Sequence, residues 1–209
     1  MGKNLDNKCK QCRRLGEKLF LKGDRCNSPK CAMVKRNYPP GFHGPKGRKR
    51  QSDYGLQLAE KQKVKKQYNI LEKQLRLTMD QAQKTTGDAG KNLLRLLELR
   101  LDNAVYRLGF ATSRVQARQL VNHGHFTVNG KKVNIPSYRV REGEVIQIKD
   151  RSQKSKAFKE LSEKLKNQET PSWLNLNAKE LSGKVLHEPK EGDLRLNIDT
   201  QMIIEYYSR

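Results

Sequence analysis

The positive charge of this chain is confined to its first two thirds. The 209 residues include 44 Lys and Arg against 22 Asp and Glu, a net charge of +22. Residues 142–209 contain twelve basic and twelve acidic side chains, so the whole excess lies in residues 1–141. So large an excess is far above what solubility needs. It therefore indicates a polyanionic partner for the chain.

Two stretches carry the excess because they contain no acidic side chain. Residues 25–52 hold eight Lys or Arg, and residues 103–141 hold seven. A protein that needed charge only for solubility would mix the two signs. The tracts indicate two surfaces for a phosphate backbone, and nucleic acid is the polyanion that fits best. Solvated basic loops without a partner are the alternative.

An anionic membrane is the competing polyanion, but the apolar pattern argues against it. Apolar runs are only a few residues long, whereas about 18 apolar residues in succession are needed to span a bilayer. The N-terminus has no apolar segment of the signal-peptide type, and Asp6 stands where N-myristoylation needs Ser or Thr. We therefore expect no membrane partner and a cytoplasmic location.

The four cysteines all fall within 23 residues, as Cys9-x2-Cys12 and Cys26-x4-Cys31. Around them, residues 1–45 show weak apolar periodicity, and their Pro and Gly residues exclude a continuous helix. Two such Cys pairs are typical of a structural zinc site with four thiolate ligands. This closed site would fold a segment too polar to fold alone. Disulfides, an iron–sulfur cluster or free thiols are the alternatives.

Basic residues flank the four cysteines. A nearby cation favours the thiolate over the thiol and offsets the negative charge of a four-thiolate site. We expect this effect from Lys8, Lys10, Arg13, Arg25 and Lys30.

Two long helices are predicted between residues 46 and 108. The first follows a cap at Ser52 or Asp53, and the second follows a break at 85–90 and ends near Gly109. Each has an apolar stripe at helical spacing, which indicates core packing and not a cofactor site. The stripes are Val64, Tyr68, Leu71 and Leu75 in the first helix, and Leu94, Leu97, Leu101, Val105 and Leu108 in the second.

A compact helix–hairpin–strand pattern begins at Thr112. That residue or Ser113 caps a short predicted helix, 114–123. Asn129-Gly130 between β-forming residues is typical of a type I′ hairpin turn, and residues 145–148 are predicted as a further strand. Core-facing side chains are expected at Val115, Leu120 and Val121, and at Phe158, Leu161 and Leu165 in a helix after Ser152.

The short predicted helix carries a cationic, amide-rich face. Arg114 and Arg118 are four residues apart and therefore share a face. Arg donates forked hydrogen bonds to phosphates, while Asn and Gln donors suit sugars and base edges. The other polar side chains of this surface are Gln119, Asn122, His123, Lys131 and Lys132. A solvated face with an incidental charge pattern is the alternative.

Catalytic constellations are missing from the sequence. It has no P-loop, nucleophile elbow or dinucleotide fingerprint. No acid in residues 103–141 accompanies His123 and His125, which are two residues apart rather than four, and Ser113 has no identifiable base partner. We therefore expect a binding or structural protein without a small-molecule substrate, and not an enzyme.

Several segments together resemble the family of small-subunit ribosomal protein S-four. Ser113-Arg-x-Gln-Ala-Arg-Gln-Leu-Val-x-His-Gly-His125, followed by residues 128–140, is similar to that family's RNA-binding module. The four-Cys spacing is similar to that of its zinc-bearing bacterial members. Matches at 39–44, 52–63, 100–110 and 205–209 extend the resemblance over nearly the entire chain. Phe42 and Phe126 depart from the family's pattern.

This resemblance implies a structural component of the small ribosomal subunit. Members bind 16S rRNA directly and early, at a multi-helix junction of its 5′ domain, and nucleate assembly there. They lie beside ribosomal proteins S-five and S-three and influence decoding accuracy. Some members also bind their own messenger RNA and repress its translation. The alternative is a zinc-dependent RNA-binding regulator that acts off the ribosome.

The resemblance also assigns site residues to positions of this chain. The RNA-binding residues of the module are Arg107, Arg114, Gln116, Arg118, Gln119, Asn122, His123, Lys131 and Lys132. Those of the N-terminal domain are Arg36, Arg48, Lys49, Arg50 and Tyr54. One structural zinc ion is assigned to Cys9, Cys12, Cys26 and Cys31.

The predicted fold class is α+β. Three domains are predicted. The N-terminal domain, 1–98, is divided into a zinc-stabilised segment, 1–45, and a helical part, 46–98. A helix–hairpin–strand RNA-binding module of the S-four type, 99–163, and a C-terminal extension, 164–209, follow it. Asp199 can cap a last helix, and the resemblance implies that this helix returns to the N-terminal domain. The Ile and Tyr content of residues 199–207 would also suit a strand.

Overall fold

A computed structural model of the chain describes residues 4–47, 50–155, 158, 161–165, 168–194 and 197–209. They form two compact units. The first unit takes its described residues from 1–93 and 196–209, and the second takes them from 94–195. Helices make up the first unit, and the second combines helices with a five-stranded sheet. The predicted α+β class is confirmed for the described part of the chain.

Short helices and turns form the N-terminal segment. They are α1 (Lys8–Leu15), α2 (Asp24–Asn27), α3 (Ala32–Lys35) and a 3-10 turn at Gly44–Lys46. Gly16 ends α1 with a φ of 85°, a left-handed conformation that glycine adopts without steric cost. A small apolar cluster lies beneath these elements, made of Cys12, Leu15, Leu19, Leu21, Cys31 and Met33. So small a core gives the segment little hydrophobic stabilisation.

Two helices, α4 (Asp53–Gln67) and α5 (Glu72–Lys84), replace the first predicted helix. The chain turns between them at Asn69, whose φ of 53° lies in a region that Asn tolerates better than most residues. The stripe predicted through Leu71 is wrong, because the turn leaves Leu71 43% exposed. The other stripe residues are buried as predicted: Val64, Tyr68 and Leu75.

The second predicted helix is also divided, into α6 (Ala89–Glu98) and α7 (Leu101–Arg107). Arg100 lies between them in an extended conformation and forms an isolated β-bridge with Arg139. A single continuous helix is therefore the wrong prediction, because this bridge takes the backbone out of the helical path. The apolar stripe stays buried, at Leu94, Leu97, Leu101, Val105 and Leu108.

Helix α11 (Thr200–Tyr207) packs against α4 in the first unit. Asp199 caps it by accepting a hydrogen bond from the Met202 N–H at 3.2 Å. Gln57 of α4 donates a hydrogen bond to the Glu205 carboxylate at 2.8 Å. The end of the chain is thus a helix and not a strand, and it belongs to the first unit.

Glu72 joins α5 to both α4 and α11. Its carboxylate accepts hydrogen bonds from Lys61 Nζ at 2.8 Å, Lys65 Nζ at 2.9 Å and the Tyr207 hydroxyl at 3.0 Å. Burial acts to raise the pKa of Glu72, but the three donors outweigh it and lower the pKa to about 2. Glu72 is therefore held ionised by the packing of three helices.

Replacing Glu72 with Gln is expected to remove a pH-dependent part of the first unit's stability. The pKa of Glu in an unfolded chain is about 4.3. Because folding lowers the pKa of Glu72 to about 2, its ionised form stabilises the fold fully above the unfolded pKa. This contribution is lost as the pH falls from the unfolded pKa toward 2. Since the side chain is 44% exposed, solvent screening limits the effect to about 1 kcal/mol. The urea midpoint of Glu72→Gln should lie below that of the wild type at neutral pH.

This difference in midpoint should shrink as the pH is lowered from about 6 to about 3. Asp80→Asn, on the exposed side of α5, removes the same charge as a control and should show no such trend. A Glu72→Gln midpoint that stays equally far from the wild type at both pH values would contradict the linkage.

The second unit is built on an antiparallel sheet in the order β2-β1-β3-β5-β4. The strands are β1 (Phe126–Val128), β2 (Lys131–Lys132), β3 (Val145–Ile148), β4 (Leu174–Asn177) and β5 (Ser182–Val185). Asn129 and Gly130 join β1 to β2 with φ values of 49° and 76°, and a type I′ turn requires positive values at both positions. The predicted hairpin and the predicted strand at 145–148 are confirmed.

Strands β4 and β5 lie in the region that the sequence assigned to a C-terminal extension. Gly183 of β5 pairs with Ile146 of β3, so this region continues the sheet of the module, and the second unit extends to residue 195. Gly183 weakens the strand signal in the sequence. Its position nevertheless requires glycine, because a Cβ there would collide with the Leu108 side chain.

Helices α8 (Arg114–Asn122), α9 (Asp150–Gln153) and α10 (Leu161–Leu165) complete the second unit. Within the helix predicted after Ser152, the described residues show α10, whereas residues 154, 155 and 158 are not helical. Side chains predicted to face the core are buried at Leu120, Val121, Phe158, Leu161 and Leu165. Val115 is only half-buried, and Ala117 is fully buried in the same helix. Every helix of the described residues is too short or too polar to cross a membrane.

Candidate nucleic-acid interface

Three side-chain hydrogen bonds fix the start of α8. Ser113 Oγ accepts from the Gln116 N–H at 3.3 Å. Gln116 Oε1 accepts in turn from the Thr112 N–H at 2.9 Å and from the Thr112 hydroxyl at 2.7 Å. Ser113 thus satisfies a backbone donor in the first turn of α8, and Gln116 satisfies a backbone donor at Thr112, just before the cap. Ser113 is therefore the cap, and Gln116 sets the helix start while standing at the surface.

The hairpin lies beside the C-terminal end of α8. Gly124 follows the helix with a φ of 72°, which ends it. A Cβ on Gly124 would stand 2.7 Å from Lys132 Cε, so the lysine stem occupies the space that only glycine leaves open. The end of the helix and the hairpin are thereby held next to each other.

Six of the predicted RNA-binding side chains are exposed on α8, just after it and on the hairpin, and we call them the module face. They are Gln116, Gln119, Asn122, His123, Lys131 and Lys132. The helical members, Gln116, Gln119 and Asn122, follow one another at spacings of three residues, which keeps them on one side of the helix. Amides, an imidazole and two ammonium groups suit a phosphate backbone with its sugars and base edges.

Arg118 lies in the interior of the second unit. It is 8% exposed, and its guanidinium lies 3.2 Å from the Asp102 carboxylate. Arg100 donates two hydrogen bonds to the same carboxylate, at 3.0 and 2.8 Å. Burial lowers the pKa of Arg118, and the charge of Asp102 opposes this shift. The prediction that Arg118 lies on an exposed cationic face is wrong, because the ion pair with Asp102 turns it toward α7.

Arg107 and Arg114 meet at Glu98, which is 1% exposed. Arg107 Nη2 lies 2.7 Å from Glu98 Oε1, and Arg114 Nη2 lies 3.8 Å from the same oxygen. Arg114 also donates to Asn103 Oδ1 at 2.8 Å and covers the Tyr106 ring at 4.7 Å. Arg114 and Arg118 do share a helix face, as predicted, but that face packs against α7. We call Glu98, Arg100, Asp102, Arg107, Arg114 and Arg118 the α7–α8 ion cluster.

Glu98 and Asp102 were missed in the sequence, although a signal for them exists. The tract 103–141 has no acid, so its arginines pair with carboxylates outside it. Glu98 and Asp102 are the last two acids before the tract. A search for the nearest acids would have found both centres of the ion cluster.

The N-terminal basic tract places its predicted residues at the surface as far as the structure describes them. Arg36 and Arg50 of the tract are exposed, and Tyr54, which follows the tract, is 48% exposed. Arg48 and Lys49 lie outside the described residues. RNA contacts by this tract stay a prediction.

The four cysteines line one small cavity in the N-terminal segment, together with Leu21 and Met33. The free space is about 20 Å³, which is room for about one water-sized particle. All four thiols are free of disulfides, and the Lys22 N–H donates to Cys26 Sγ at 3.3 Å. The donor set suits a single soft ion. Within the described ranges, however, no three or more metal-ligating side chains converge closely enough to form a metal centre as they stand.

Cys12 does not behave as its basic neighbours suggest. Burial raises the pKa of its thiol, and a backbone hydrogen bond at Leu19 opposes the shift. The charges of Cys26, Cys9 and Cys31 raise it further, which shows that the four sulfurs influence one another. For Cys12 without a metal ion, burial is the largest effect on the pKa of the thiol and outweighs any effect of the flanking cations.

The two histidines after α8 lie near each other, with ring centroids 6.1 Å apart. His125 Nδ1 is 3.0 Å from Ser152 Oγ, and burial lowers the pKa of His125. In the part of the chain that the structure describes, these two rings belong to no group of three metal-ligating side chains. His123 contributes to the module face, and His125 packs inward against Phe158 at 5.6 Å.

The class of protein follows from the helix–hairpin–strand part of the second unit. Residues 99–146, which include α7, α8 and the β1–β2 hairpin, match the family model described as "S4 domain". The chain is thus an S4-domain protein, with an exposed polar face on the helix and hairpin of that domain.

The rest of the chain identifies the family within that class. Residues 3–98 match the model described as "Ribosomal protein S4/S9 N-terminal domain". The "Small ribosomal subunit protein uS4" of Syntrophomonas wolfei is 51% identical over 209 residues, 100% of both chains. Proteins of the same name from Clostridioides difficile (55% over 201 residues, 96% of each chain) and Caldicellulosiruptor saccharolyticus (53% over 209, 100% of each) are also similar. The chain belongs to the ribosomal protein S-four family.

Proposed function

We propose that this chain is a structural component of the small ribosomal subunit that binds 16S rRNA. The observation that carries the proposal is identity of 51% along all 209 residues to a protein named for that subunit. The module face supplies the surface for RNA. As a primary rRNA-binding protein, the chain nucleates assembly of the 5′ domain. Its location is then the ribosome in the cytoplasm, and its role is not enzymatic.

Ribosomal proteins S-five and S-three are the protein partners we propose, with an influence on decoding accuracy. The chain's own messenger RNA is a further candidate ligand, because a surface that recognises a folded RNA junction accepts a second RNA of the same shape. Both proposals follow from membership in the family.

The module face binds RNA mainly through its backbone. Lys131 and Lys132 neutralise phosphates and release their counterions, which makes affinity fall with salt. The amides and His123 add donors at fixed positions for phosphates and 2′-hydroxyls. A-form RNA has a deep, narrow major groove that side chains do not read, so recognition depends on the shape of the junction. The α7–α8 ion cluster holds α8 in place beneath this surface.

We also propose that the four-cysteine cavity holds one structural zinc ion. Cys9, Cys12, Cys26 and Cys31 would be its ligands, because their thiols surround a space for about one particle. The thiols would lose their protons on binding, including Cys12, whose pKa burial raises in the absence of a cation. The small apolar cluster nearby explains why the segment needs this ion to fold.

Removing the two hairpin lysines is expected to weaken rRNA binding in a salt-dependent way. Wild-type protein should sediment stoichiometrically with small subunits at low salt. Lys131→Ala/Lys132→Ala should be released at lower salt, and its slope of log affinity against log salt should fall by about 1 to 2. Sedimentation with purified subunits and filter binding to a 16S 5′-domain transcript measure these two effects.

Lys179→Ala/Lys184→Ala is the matched control. Both of its lysines are exposed, but they lie in the charge-neutral part of the chain, so binding should be unchanged. Equal salt slopes for the two double variants would show that the module face does not contact phosphates. Wild-type protein that stays in the soluble fraction at low salt would favour the regulator that acts off the ribosome.

A further inference from the structure

Phe42 presents a bare aromatic ring to solvent. It is 93% exposed, more than any other large apolar side chain that the structure describes. Among the described residues, its one ring contact is with His43, which meets it edge to face at 5.3 Å and 86°. Removing apolar surface from water is favourable in proportion to the area that is buried. A partner that covers the Phe42 ring would therefore gain binding free energy from this contact.

The loop that carries Phe42 is fixed on both sides. Before it, Arg13 donates to the Tyr38 carbonyl at 2.9 Å and to the Pro39 carbonyl at 3.1 Å. After it, the Gly44 N–H donates to the Gly41 carbonyl at 3.1 Å. Gly44 is required there, because a Cβ would collide with the Pro39 carbonyl. The ring is therefore displayed by an ordered turn.

All of the charged side chains around Phe42 in the sequence are basic. It lies within residues 25–52, which hold eight Lys or Arg and no acid. Arg36, Lys46 and Arg50 of this tract are exposed. An apolar pocket on a protein partner would gain nothing from this charge unless it were ringed by acids. A nucleic-acid strand supplies both parts, because phosphates pair with the cations and an unstacked base covers the ring.

We propose that Phe42 is a stacking site for an unpaired RNA base, and that His43 forms the edge of the same platform. The cations of the tract hold the phosphates on either side of that base. This inference rests on the proposed function, since it takes 16S rRNA as the ligand. It adds a contact by stacking to a surface that otherwise acts through charge.

Three substitutions separate stacking from burial of apolar area. Phe42→Ala removes the ring, Phe42→Leu keeps an apolar side chain without a flat face, and Phe42→Tyr keeps the ring. Base–aromatic stacking contributes about 1–3 kcal/mol, so affinity for a 16S 5′-domain transcript should fall about 5- to 150-fold in Phe42→Ala and nearly as much in Phe42→Leu. Phe42→Tyr should bind as the wild type does. The salt slope should stay the same in all three, because no phosphate contact is lost.

Fluorescence gives a second readout in the full chain. Phe42→Trp should lose emission when the transcript is added, through stacking, while Trp173, the only native Trp, is fully buried and provides a constant background. Since Phe42 is exposed, all four variants should keep the thermal unfolding midpoint of the wild type.

The outcomes distinguish this inference from the function on which it rests. Wild-type protein that does not bind the transcript would overturn the proposed function and the stacking site with it. Wild-type binding together with unchanged affinity in Phe42→Ala would overturn the stacking site alone. If Phe42→Leu binds as well as the wild type and Phe42→Ala does not, the contact is apolar burial and not base stacking. This result would also overturn the stacking site.

Discussion

Asp102→Asn is expected to lower the free energy of unfolding of the second unit by about 3–5 kcal/mol. Asp102 and its two partners, Arg100 and Arg118, have side chains that are 5%, 5% and 9% exposed. Removing one member of a buried ion pair leaves the other charges buried without compensation, and this accounts for the size of the loss. Urea unfolding, followed by the emission of Trp173 in the same unit, measures it.

Asp150→Asn is the matched control, because it makes the same change at an exposed position of the second unit. Asp150 stands in the first turn of α9, so its loss should amount to no more than about 1 kcal/mol. If Asp102→Asn unfolds at the same urea concentration as Asp150→Asn, the carboxylate of Asp102 does not stabilise the unit.

The same cluster changes how RNA binding is to be tested. From the sequence alone, the natural test is to replace Arg114 and Arg118 with Glu. The predicted result is a loss of several kcal/mol in rRNA binding free energy, from lost phosphate contacts and repulsion. In the structure, Arg118→Glu would instead bury a second carboxylate beside Asp102, so the protein would lose stability before any phosphate contact was tested. Substitutions at the exposed Lys131 and Lys132 avoid this effect.

Local sequence chemistry predicted the parts of the fold that depend on neighbouring residues. Ser52 was one of two predicted caps of α4, and Asn129-Gly130 predicted the hairpin, because a cap or a tight turn needs only a few adjacent residues. Strand β5 could not be found in this way. Glycine is disfavoured in strands, so Gly183 argues against a strand in the sequence. The reason for glycine there is the side chain of Leu108, 75 positions earlier, which occupies the space of a Cβ.

In the candidate site, too, the sequence predicted what depends on neighbouring residues but not what depends on residues distant in the chain. The spacing of Arg114 and Arg118 predicted correctly that they share a helix face. It could not say whether that face meets solvent or another helix. The answer depends on Asp102, 16 residues before Arg118 in the chain. The exposed amides and lysines were predicted because solvent is the default surrounding for such side chains.

Cys12→Ser is expected to release the proposed zinc ion and unfold the N-terminal segment. Structural zinc contributes about 10–16 kcal/mol of apparent binding free energy in small domains, and that energy is folding energy when the apo segment cannot fold. In the part of this segment that the structure describes, the apolar cluster has six members. Zinc content should therefore fall from about one ion per chain, and residues 4–47 should become sensitive to protease. A chelator should do the same to the wild type.

A control variant at Met33 and the position of Trp173 separate loss of zinc from other effects of the substitution. Met33→Leu changes a side chain that lines the same cavity but removes no thiol, so it should keep both its zinc and its resistance to protease. All four cysteines precede residue 32, and the only Trp is Trp173 in the second unit. Its emission should therefore be unchanged in Cys12→Ser, which separates loss of the segment from general unfolding. Fresh wild-type protein with under about half an ion per chain, or a Cys12→Ser variant that keeps its zinc, would rule out the four-thiolate site.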